Sequence, residues 1–264
     1  MNKIYWDRDK ISIITDQIES VPHKHWTMQL FLSIEKNLEI GVEDHKISCR
    51  CIVINRDILH SFSTGNNMYF TMIIEPISSL AIQLEERMGG MKYYIFNNQD
   101  IEYIQKLLFC LIDSDGLREY REFMIQLYKF LGVKEQARIY DDRVKEQAEI
   151  YDDRVKDLLY EIERCNWDTY SIASFADKVA LSPSRLSHLF KEQVGMPLKS
   201  YIQFHQMQRA FLALLNGKSI TESAMTAGFD TPSHFATVTK KMMGMSASIS
   251  VKNSVFLKVT EEVN

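Results

Sequence analysis

The sequence of 264 residues has little of what marks secreted or membrane proteins. Its four cysteines follow no regular spacing, which excludes a disulfide framework. It has no run of about 18 apolar residues, and its first residues, MNKIYWDRDK, lack the apolar stretch of a signal peptide. The hydrophobic fraction of 45% and the charged fraction of 25% are typical of globular proteins. We therefore expect a cytoplasmic protein without membrane contact.

The chain also lacks the net positive charge of many nucleic-acid-binding proteins, since its formal charge is −4. This overall value hides a difference in net charge between the two ends of the chain. Residues 171–252 contain nine Lys/Arg and four Asp/Glu, a net charge of +5, whereas residues 1–154 contain 19 and 25, a net charge of −6. A basic C-terminal part behind an acidic front half is consistent with a two-domain DNA-binding protein.

A repeat near the C-terminus is the most informative pattern. The segment LSPSRLSHLFKEQVG is followed 49 positions later by a similar segment, in which Ser182-Pro183-Ser184 returns as Thr231-Pro232-Ser233. Each copy begins with a hydroxyl N-cap and a proline at N1, continues with apolar residues at helical spacing, and closes at a glycine, Gly195 or Gly244. Short helical patterns, Ile172–Val179 and Ile220–Met225, precede the copies. The pattern predicts two helix-turn-helix units in tandem, joined by a helix over Pro197–Asn216.

The outer face of each second helix predicts the DNA contacts. In the first unit Arg185 and His188 can donate hydrogen bonds to guanine, and Ser184 and Ser187 can reach phosphate or base edges. The second unit offers small residues and lysines that suit phosphate contacts, so we expect the first unit to carry more of the base specificity. The predicted DNA-binding residues are Ser184, Arg185, Ser187, His188, Lys191, Ser233, His234, Thr237, Lys240 and Lys241.

These residues and their order resemble the C-terminal domain of AraC/XylS-type transcriptional regulators over about residues 158–250. The resemblance implies an all-α tandem helix-turn-helix domain that regulates nearby promoters, usually by activation. The sequence departs from the family pattern at four positions. Gln206 replaces arginine, Ser223 replaces isoleucine, Thr239 replaces a core phenylalanine and Ala247 replaces a proline.

The front half has the pattern of a small β domain followed by helices. Strands are predicted at Gln29–Glu35, Leu38–Val42, Ile47–Asn55 and Tyr69–Glu75. Helices are predicted at Leu80–Met88, Ile101–Ile112 and Leu117–Leu131.

An eleven-residue repeat follows these helices, VKEQARIYDDR and then VKEQAEIYDDR over residues 133–154. Eleven residues make almost three α-helical turns, so both copies present the same face. Continuous through Arg164, this helix would be about 48 Å long. It would serve as a dimer seam or a spacer between domains, or else it is a duplication that was tolerated because it preserved the helix face.

Histidines in the front half resemble those of a cupin barrel, the usual sensor domain of AraC-type regulators. His23 and His25 share one face of a strand, and His60 lies farther along the chain. With Gln29 nearby, the three imidazoles could ligate a divalent metal. No acidic residue stands at the usual cupin spacing, so we expect no metal and no cofactor, and assign His23, His25, Trp26 and His60 to a ligand pocket.

The sequence thus predicts an α+β chain of two domains. We expect a cupin-like β-barrel sensor over residues 1–95, a helical dimerisation segment over 96–154 and a DNA-binding domain over 155–264. The predicted function is a non-enzymatic, ligand-responsive transcriptional regulator that acts as an activator. Its expected partners are double-stranded DNA, a small-molecule effector, a second copy of the chain and RNA polymerase. The alternatives are a cupin-type metalloenzyme with an accessory helical domain, and a regulator that responds to a partner protein.

Overall fold

The computed structural model describes residues 2–7, 9–114, 116–134, 151–164, 171–246 and 254–259. The chain divides into two compact units. The first unit consists of Met1–Gln136 together with Thr239–Asn264, and the second of Ala137–Val238. None of the helices within the described ranges is long and apolar enough to cross a membrane.

The described strands of the first unit form two sheets. The larger has seven strands in the order β10-β1-β2-β8-β3-β6-β9, and the smaller has three in the order β5-β4-β7. Only the β1–β10 pair is parallel among these described strands. The strands are β1 (Asn2–Trp6), β2 (Lys10–Thr15), β3 (Met28–Ser33), β4 (Leu38–Val42), β5 (His45–Cys49), β6 (Cys51–Ile54), β7 (His60–Phe62), β8 (Tyr69–Ile74), β9 (Tyr93–Ile95) and β10 (Ser254–Lys258).

The two-domain α+β class is confirmed, but the closed cupin-like barrel is not. The described strands lie in two separate sheets, and none of their pairings closes a sheet on itself. Contacts join the sheets locally: the rings of Phe31 on β3 and Phe62 on β7 lie 4.8 Å apart. His23, ahead of β3, and His60 exchange backbone hydrogen bonds of 3.0 Å. The histidines therefore lie where the small sheet meets the large one.

The prediction of a single strand over Ile47–Asn55 is wrong. The chain breaks at Arg50 into β5, which pairs with β4 in the small sheet, and β6, which pairs with β3 and β9 in the large sheet. Cys49 and Cys51 consequently belong to different sheets. Both thiols are buried, as a core role requires, and burial raises the pKa of Cys49 to about 12 and that of Cys51 well above its usual value.

The three helices predicted for the first unit are present: α1 (Ser79–Met88), α2 (Ile101–Asp113) and α3 (Leu117–Leu131). Their buried residues, among them Leu84, Leu108, Phe123 and Leu127, join the apolar core of the large sheet. Phe123 packs edge-on against Phe70 of β8 at 5.1 Å.

The eleven-residue repeat does not form one continuous helix with its flanks. Helix α3 ends at Gly132, whose φ of 67° is left-handed, and Val133 and Lys134 are not helical. The next described helix, α4, spans Asp153–Arg164 and is preceded by non-helical Tyr151 and Asp152. The repeat residues 135–150, and with them the predicted dimer seam, lie outside the described residues.

The second unit holds the predicted DNA-reading helices. They are α5 (Ile172–Lys178), α6 (Pro183–Val194), α7 (Leu198–Leu215), α8 (Ile220–Thr226) and α9 (Pro232–Met243), the last of which continues into the first unit. Their large apolar side chains are buried, including Phe175, Leu186, Phe190, Phe211 and Phe235. The rings of Phe211 on α7 and Phe235 on α9 meet at 5.7 Å.

The chain after α9 belongs to the first unit. The N–H of Glu19 donates to the carbonyl of Gly244 at 3.3 Å, and the hydroxyl of Thr15 lies 3.5 Å from the sulfur of Met245. Residues 254–258, which were expected to belong to the DNA-binding domain, form β10 beside β1.

Candidate nucleic-acid interface and histidine cluster

The first helix-turn-helix unit is closed at each end by local hydrogen bonds. Ser171 and Ser174 form a capping box at the start of α5. At the start of α6, the Ser182 hydroxyl accepts from the N–H of Arg185 at 3.2 Å, and Pro183 occupies the first turn. Gly195 ends α6 in a left-handed conformation with φ of 76°. The cap, proline and closing glycine predicted from sequence are all present, so the N-terminal turn of α6 has a defined geometry.

The predicted reading face of α6 points to solvent, because its anchors Leu186, Leu189 and Phe190 take the opposite face. Ser184, Arg185, His188 and Lys191 are exposed. Ser187 is half-buried, and its hydroxyl donates to the carbonyl of Pro183 at 2.8 Å. The side chains of Arg185 and His188 are therefore the long donors near the start of this helix.

The second unit repeats this plan with one difference in its reading face. Ser219 and Glu222 form the capping box of α8, and the Thr231 hydroxyl accepts from the N–H of His234 at 3.1 Å. Ser233, Thr237, Lys240 and Lys241 are exposed. The difference is His234, which is half-buried.

His234 is held by groups of its own domain. Its Nε2 lies 3.1 Å from Nε2 of Gln203, its ring packs edge-on against Phe229 at 5.4 Å, and its Nδ1 lies 3.6 Å from a carboxylate oxygen of Asp230. The Gln203 contact engages Nε2, and the Phe229 ring packs against the imidazole. The exposed predicted residues of α9 are therefore two hydroxyl side chains, Ser233 and Thr237, and two lysines, Lys240 and Lys241.

Two of the departures from the family pattern are visible as buried hydroxyls. Ser223 on α8 and Thr239 on α9 are fully buried, and within the described part of the chain their hydroxyls have no hydrogen-bond partner. Gln206 is different, because its amide donates to the carbonyl of Gly228 at 2.6 Å and so joins α7 to the turn of the second unit. Ala247 lies outside the described residues.

The front-half histidines converge on one point. One ligand atom from each of His23, His25 and His60 lies within 4.8 Å of the others. His25 and His60 are buried and His23 is half-buried, with ring centroids 4.5 to 5.5 Å apart. The sequence analysis grouped these three histidines, and the structure brings them together. Trp26 follows His25 and is half-buried, but no described contact ties its ring to the three imidazoles.

The hydrogen bonds around the cluster place Gln29 at its centre. The amide oxygen of Gln29 lies 3.0 Å from Nε2 of His25 and 3.2 Å from Nε2 of His60. The amide nitrogen donates to the Thr71 hydroxyl at 3.0 Å, and that hydroxyl donates to the carbonyl of Leu30 at 2.9 Å. Sequence reasoning noted Gln29 but missed Thr71, which lies on the neighbouring strand β8 and carries no sequence signal of this role.

The imidazoles are poor proton acceptors in this setting. Burial lowers the pKa of His25 to about 3, with the neighbouring His60 and His23 adding to the effect. Burial likewise lowers the pKa of His60 to about 4 and lowers the pKa of His23. The cluster is therefore neutral near pH 7.

A tandem pair of capped helix-turn-helix units with exposed Arg, His and Lys side chains defines a DNA-binding domain. A family model described as a helix-turn-helix domain matches residues 175–250. The arabinose operon regulatory protein of Salmonella typhimurium is 40% identical over 80 residues, which are 30% of this chain and 28% of that protein. Over this range the chain carries a helix-turn-helix domain and is similar to the arabinose regulator.

Two further relatives extend over most of the chain. A probable transcriptional regulator, LumQ of Photobacterium leiognathi, is 22% identical over 244 residues, covering 85% of this chain and 89% of LumQ. Apo ToxT from Vibrio cholerae has the same overall fold with a TM-score of 0.53, 11% identity and coverage of 93% of this chain and 97% of ToxT. A second ToxT structure, bound to an unsaturated fatty acid, has a TM-score of 0.50, 11% identity and coverage of 94% and 97%.

These comparisons bear on the choice between a regulator and an enzyme. The arabinose regulator and LumQ are named for transcriptional regulation. They agree with the prediction that the chain is not an enzyme and do not support the cupin-type metalloenzyme. The chain matches less than a third of the length of the arabinose regulators.

Proposed function

We propose that the chain is a sequence-specific DNA-binding transcriptional regulator that reads DNA with α6 and α9. The observation that carries this proposal is the exposed, capped face of α6, whose N-terminal turn presents Arg185 and His188. In helix-turn-helix proteins this part of the second helix enters the major groove. Arginine there can form two hydrogen bonds to guanine, which is the most frequent base-specific contact.

The two units contribute unequally in this proposal. Arg185 and His188 read bases, with Ser184, Ser187 and Lys191 beside them. Ser233, Thr237, Lys240 and Lys241 contact mainly phosphates, and His234 positions α9 through Gln203 and Phe229. Helix α7 has 18 residues and is about 27 Å long, so it can hold the two readers near the spacing of successive major grooves.

The first unit acts as the sensor in this proposal. Ligand binding would shift the population between two arrangements of the chain, one favourable for DNA binding. The unsaturated fatty acid bound to ToxT makes an unsaturated fatty acid the first effector to test. We further propose that the regulator is a homodimer and that it activates transcription with RNA polymerase.

The test begins with genome-wide mapping of the DNA that the protein occupies, which supplies the operator. Affinity for that operator and for scrambled DNA is then measured at several salt concentrations. Binding should fall steeply with salt, and the operator should be preferred by about a thousandfold or more. Equal affinity for both DNAs would contradict sequence-specific reading. An effector is recognised by a change in operator affinity, and no change with any fatty acid would reject that ligand class.

A further inference from the structure

Two glutamine side chains hold the chain on either side of the repeat residues 135–150. Gln83 holds Lys134, just before these residues, and Gln193 holds Asp152, just after them. Each glutamine belongs to the same compact unit as the residue that it holds, the first unit for Gln83 and the second for Gln193. The chain therefore leaves one unit and enters the other at two fixed points.

The exit from the first unit is fixed by the amide of Gln83 on α1. Its oxygen accepts from the backbone N–H of Lys134 at 2.8 Å, and its nitrogen donates to the carbonyl of Lys134 at 3.2 Å. The same nitrogen donates to the hydroxyl of Ser79, one turn earlier in α1, at 3.1 Å. A backbone N–H only donates and a carbonyl only accepts, so the orientation of this amide is defined. Lys134 is thus attached to α1 by both of its backbone polar groups.

The entry into the second unit is fixed by Gln193 in the last turn of α6. Its amide oxygen accepts from the backbone N–H of Asp152 at 2.8 Å. Asp152 also caps α4, because its carboxylate accepts from the N–H of Arg154 at 3.0 Å and its carbonyl accepts from the N–H of Val155 at 2.8 Å. Asp152 therefore attaches the chain to α4 and to the reading helix α6 at the same point.

The two held residues come from different copies of the eleven-residue repeat. Lys134 is the second residue of the first copy, and Asp152 is the ninth residue of the second copy. A duplication of these eleven residues lengthens the connection between the held residues and leaves both glutamine contacts in place. The repeat is thus compatible with two fixed ends.

We propose that Gln83 and Gln193 are positioning residues that couple the first unit to the reading helix α6 through the repeat residues. The inference rests on the proposed DNA binding by α6 and adds how the first unit acts on it. Helix α1 packs into the core of the large sheet, so a displacement of α1 would carry Lys134 with it. At the other end, a displacement of Asp152 would act on Gln193 and so on α6.

Helix α6 can convert such a displacement into a change at its DNA-reading end. Arg185 and Gln193 lie eight residues apart on this helix, which is about 12 Å along its axis. A helix of this length moves as a rigid element, so a displacement at Gln193 tilts the turn that presents Arg185. Coupling between two sites is reciprocal, and DNA bound at Arg185 must therefore act back on Asp152 and Lys134.

The first measurement is amide hydrogen exchange of the free full-length chain. Gln83→Met and Gln193→Met remove the amide group but keep the side-chain length and the helix propensity. Loss of a hydrogen bond should speed exchange of the Lys134 amide in Gln83→Met by about fivefold or more, and that of the Asp152 amide in Gln193→Met equally. Each variant should have a smaller effect on the other amide.

The matched control is Gln126→Met on α3. Gln126 is half-buried like Gln83 and Gln193, and its amide donates to Glu122 of its own helix at 3.0 Å. Exchange of the Lys134 and Asp152 amides should be unchanged in this variant.

The second measurement adds operator DNA at a concentration that saturates each protein. In the wild-type protein, bound operator should slow exchange of the Lys134 amide by about fivefold, although this amide lies in the first unit. In Gln193→Met the operator-bound and free proteins should show the same Lys134 exchange, because the contact that connects the reading helix to Asp152 is lost.

Three results would overturn the proposal. Unchanged exchange of both amides in the two glutamine variants would mean that these side chains do not hold the chain. A wild-type protein whose Lys134 amide ignores bound operator would have two local contacts without coupling. A response of Lys134 that persists in Gln193→Met would mean that the effect travels through α9, where the chain crosses between the units a second time.

Failure of the proposed DNA binding would look different from all three. The protein would then show no preference for operator over scrambled DNA. The exchange rates of the free protein would still decide whether Gln83 and Gln193 hold Lys134 and Asp152.

Discussion

Ala180 and Gly228 occupy the same left-handed position in the turns of the two helix-turn-helix units. Their φ angles are 52° and 81°, and each is followed by a residue whose N–H bonds back across the turn, Leu181 to Ala176 and Phe229 to Ala224. Glycine adopts this conformation freely, whereas a residue with a Cβ is strained by about 1–2 kcal/mol. The two turns thus share a left-handed geometry, but only the second turn has a glycine, which adopts it without strain.

Ala180→Gly is therefore expected to stabilise the second unit, and Gly228→Ala to destabilise it. We expect changes in the free energy of unfolding of about 0.5–1 kcal/mol for the first and 1 kcal/mol or more for the second. Urea denaturation of both variants measures these changes. A loss of stability in Ala180→Gly would show that the strain is relieved elsewhere in the turn.

Opposite effects are also expected for two serines of α8. Ser223 is buried with its hydroxyl unpartnered among the described residues, so Ser223→Ala should stabilise by about 1 kcal/mol. Ser219 caps the same helix and bonds to Glu222, so Ser219→Ala should cost about 1 kcal/mol. Thermal unfolding of the pair tests the difference in sign. If both variants were destabilised, the Ser223 hydroxyl would have to form a stabilising hydrogen bond in the folded protein.

The unequal roles of the two reading helices predict different DNA-binding defects. Arg185→Ala should cost about 1–3 kcal/mol on the operator and relax its sequence preference. Lys240→Ala should weaken operator and scrambled DNA alike and reduce the salt dependence by about one phosphate contact. Fluorescence anisotropy at several salt concentrations measures both effects, with Lys46→Ala on β5 as the control. Equal loss of specificity in both variants would contradict the division of roles.

Thiol reactivity should follow burial. Cys110 on α2 is exposed, whereas Cys49 and Cys51 are buried and have raised pKa values. In a Cys165→Ser background, iodoacetamide should alkylate Cys110 at least about a hundredfold faster than the other two in the native protein. Peptide mass spectrometry against time measures the rates. Fast alkylation of Cys51 would indicate that the edge between the two sheets opens readily.

Exposed aromatic residues on α2 suggest where self-association is to be tested. Tyr103 and Phe109 are 51% and 52% exposed. If this helix forms part of a dimer interface, Phe109→Ser should raise the dimer dissociation constant by about tenfold or more. Sedimentation measures it, with Met225→Ser, exposed on α8, as the control. If Phe109→Ser left the dissociation constant unchanged, α2 would not be part of the dimer interface.

Local signals account for what the sequence predicted well. The Ser182-Pro183 start and Gly195 end of α6 are set by neighbouring backbone groups, and the structure places them as expected. The anchors Leu186 and Phe190 follow from helical spacing. These features depend on residues within a few positions of one another, which a single sequence contains.

Features that depend on distant strands were missed. The alternation of residues 47–55 is the same in one strand or two, and the break at Arg50 follows from which sheet each half joins. The hydrogen bond from the Gln29 amide to Thr71, which lies on another strand, likewise has no local signal. The contact between His234 and Gln203 on α7 also joins residues that are 31 positions apart.

The pairing of β10 with β1 has a consequence for how the protein can be divided. Because residues on both sides of the second unit belong to the first, the DNA-binding unit is an insertion in the chain and not an appendage to it. A fragment cut after residue 136 would expose the edge of β1, and an exposed edge strand invites pairing with other chains. A stable fragment of the first unit would need β10 rejoined to residue 136 through a linker that replaces the second unit.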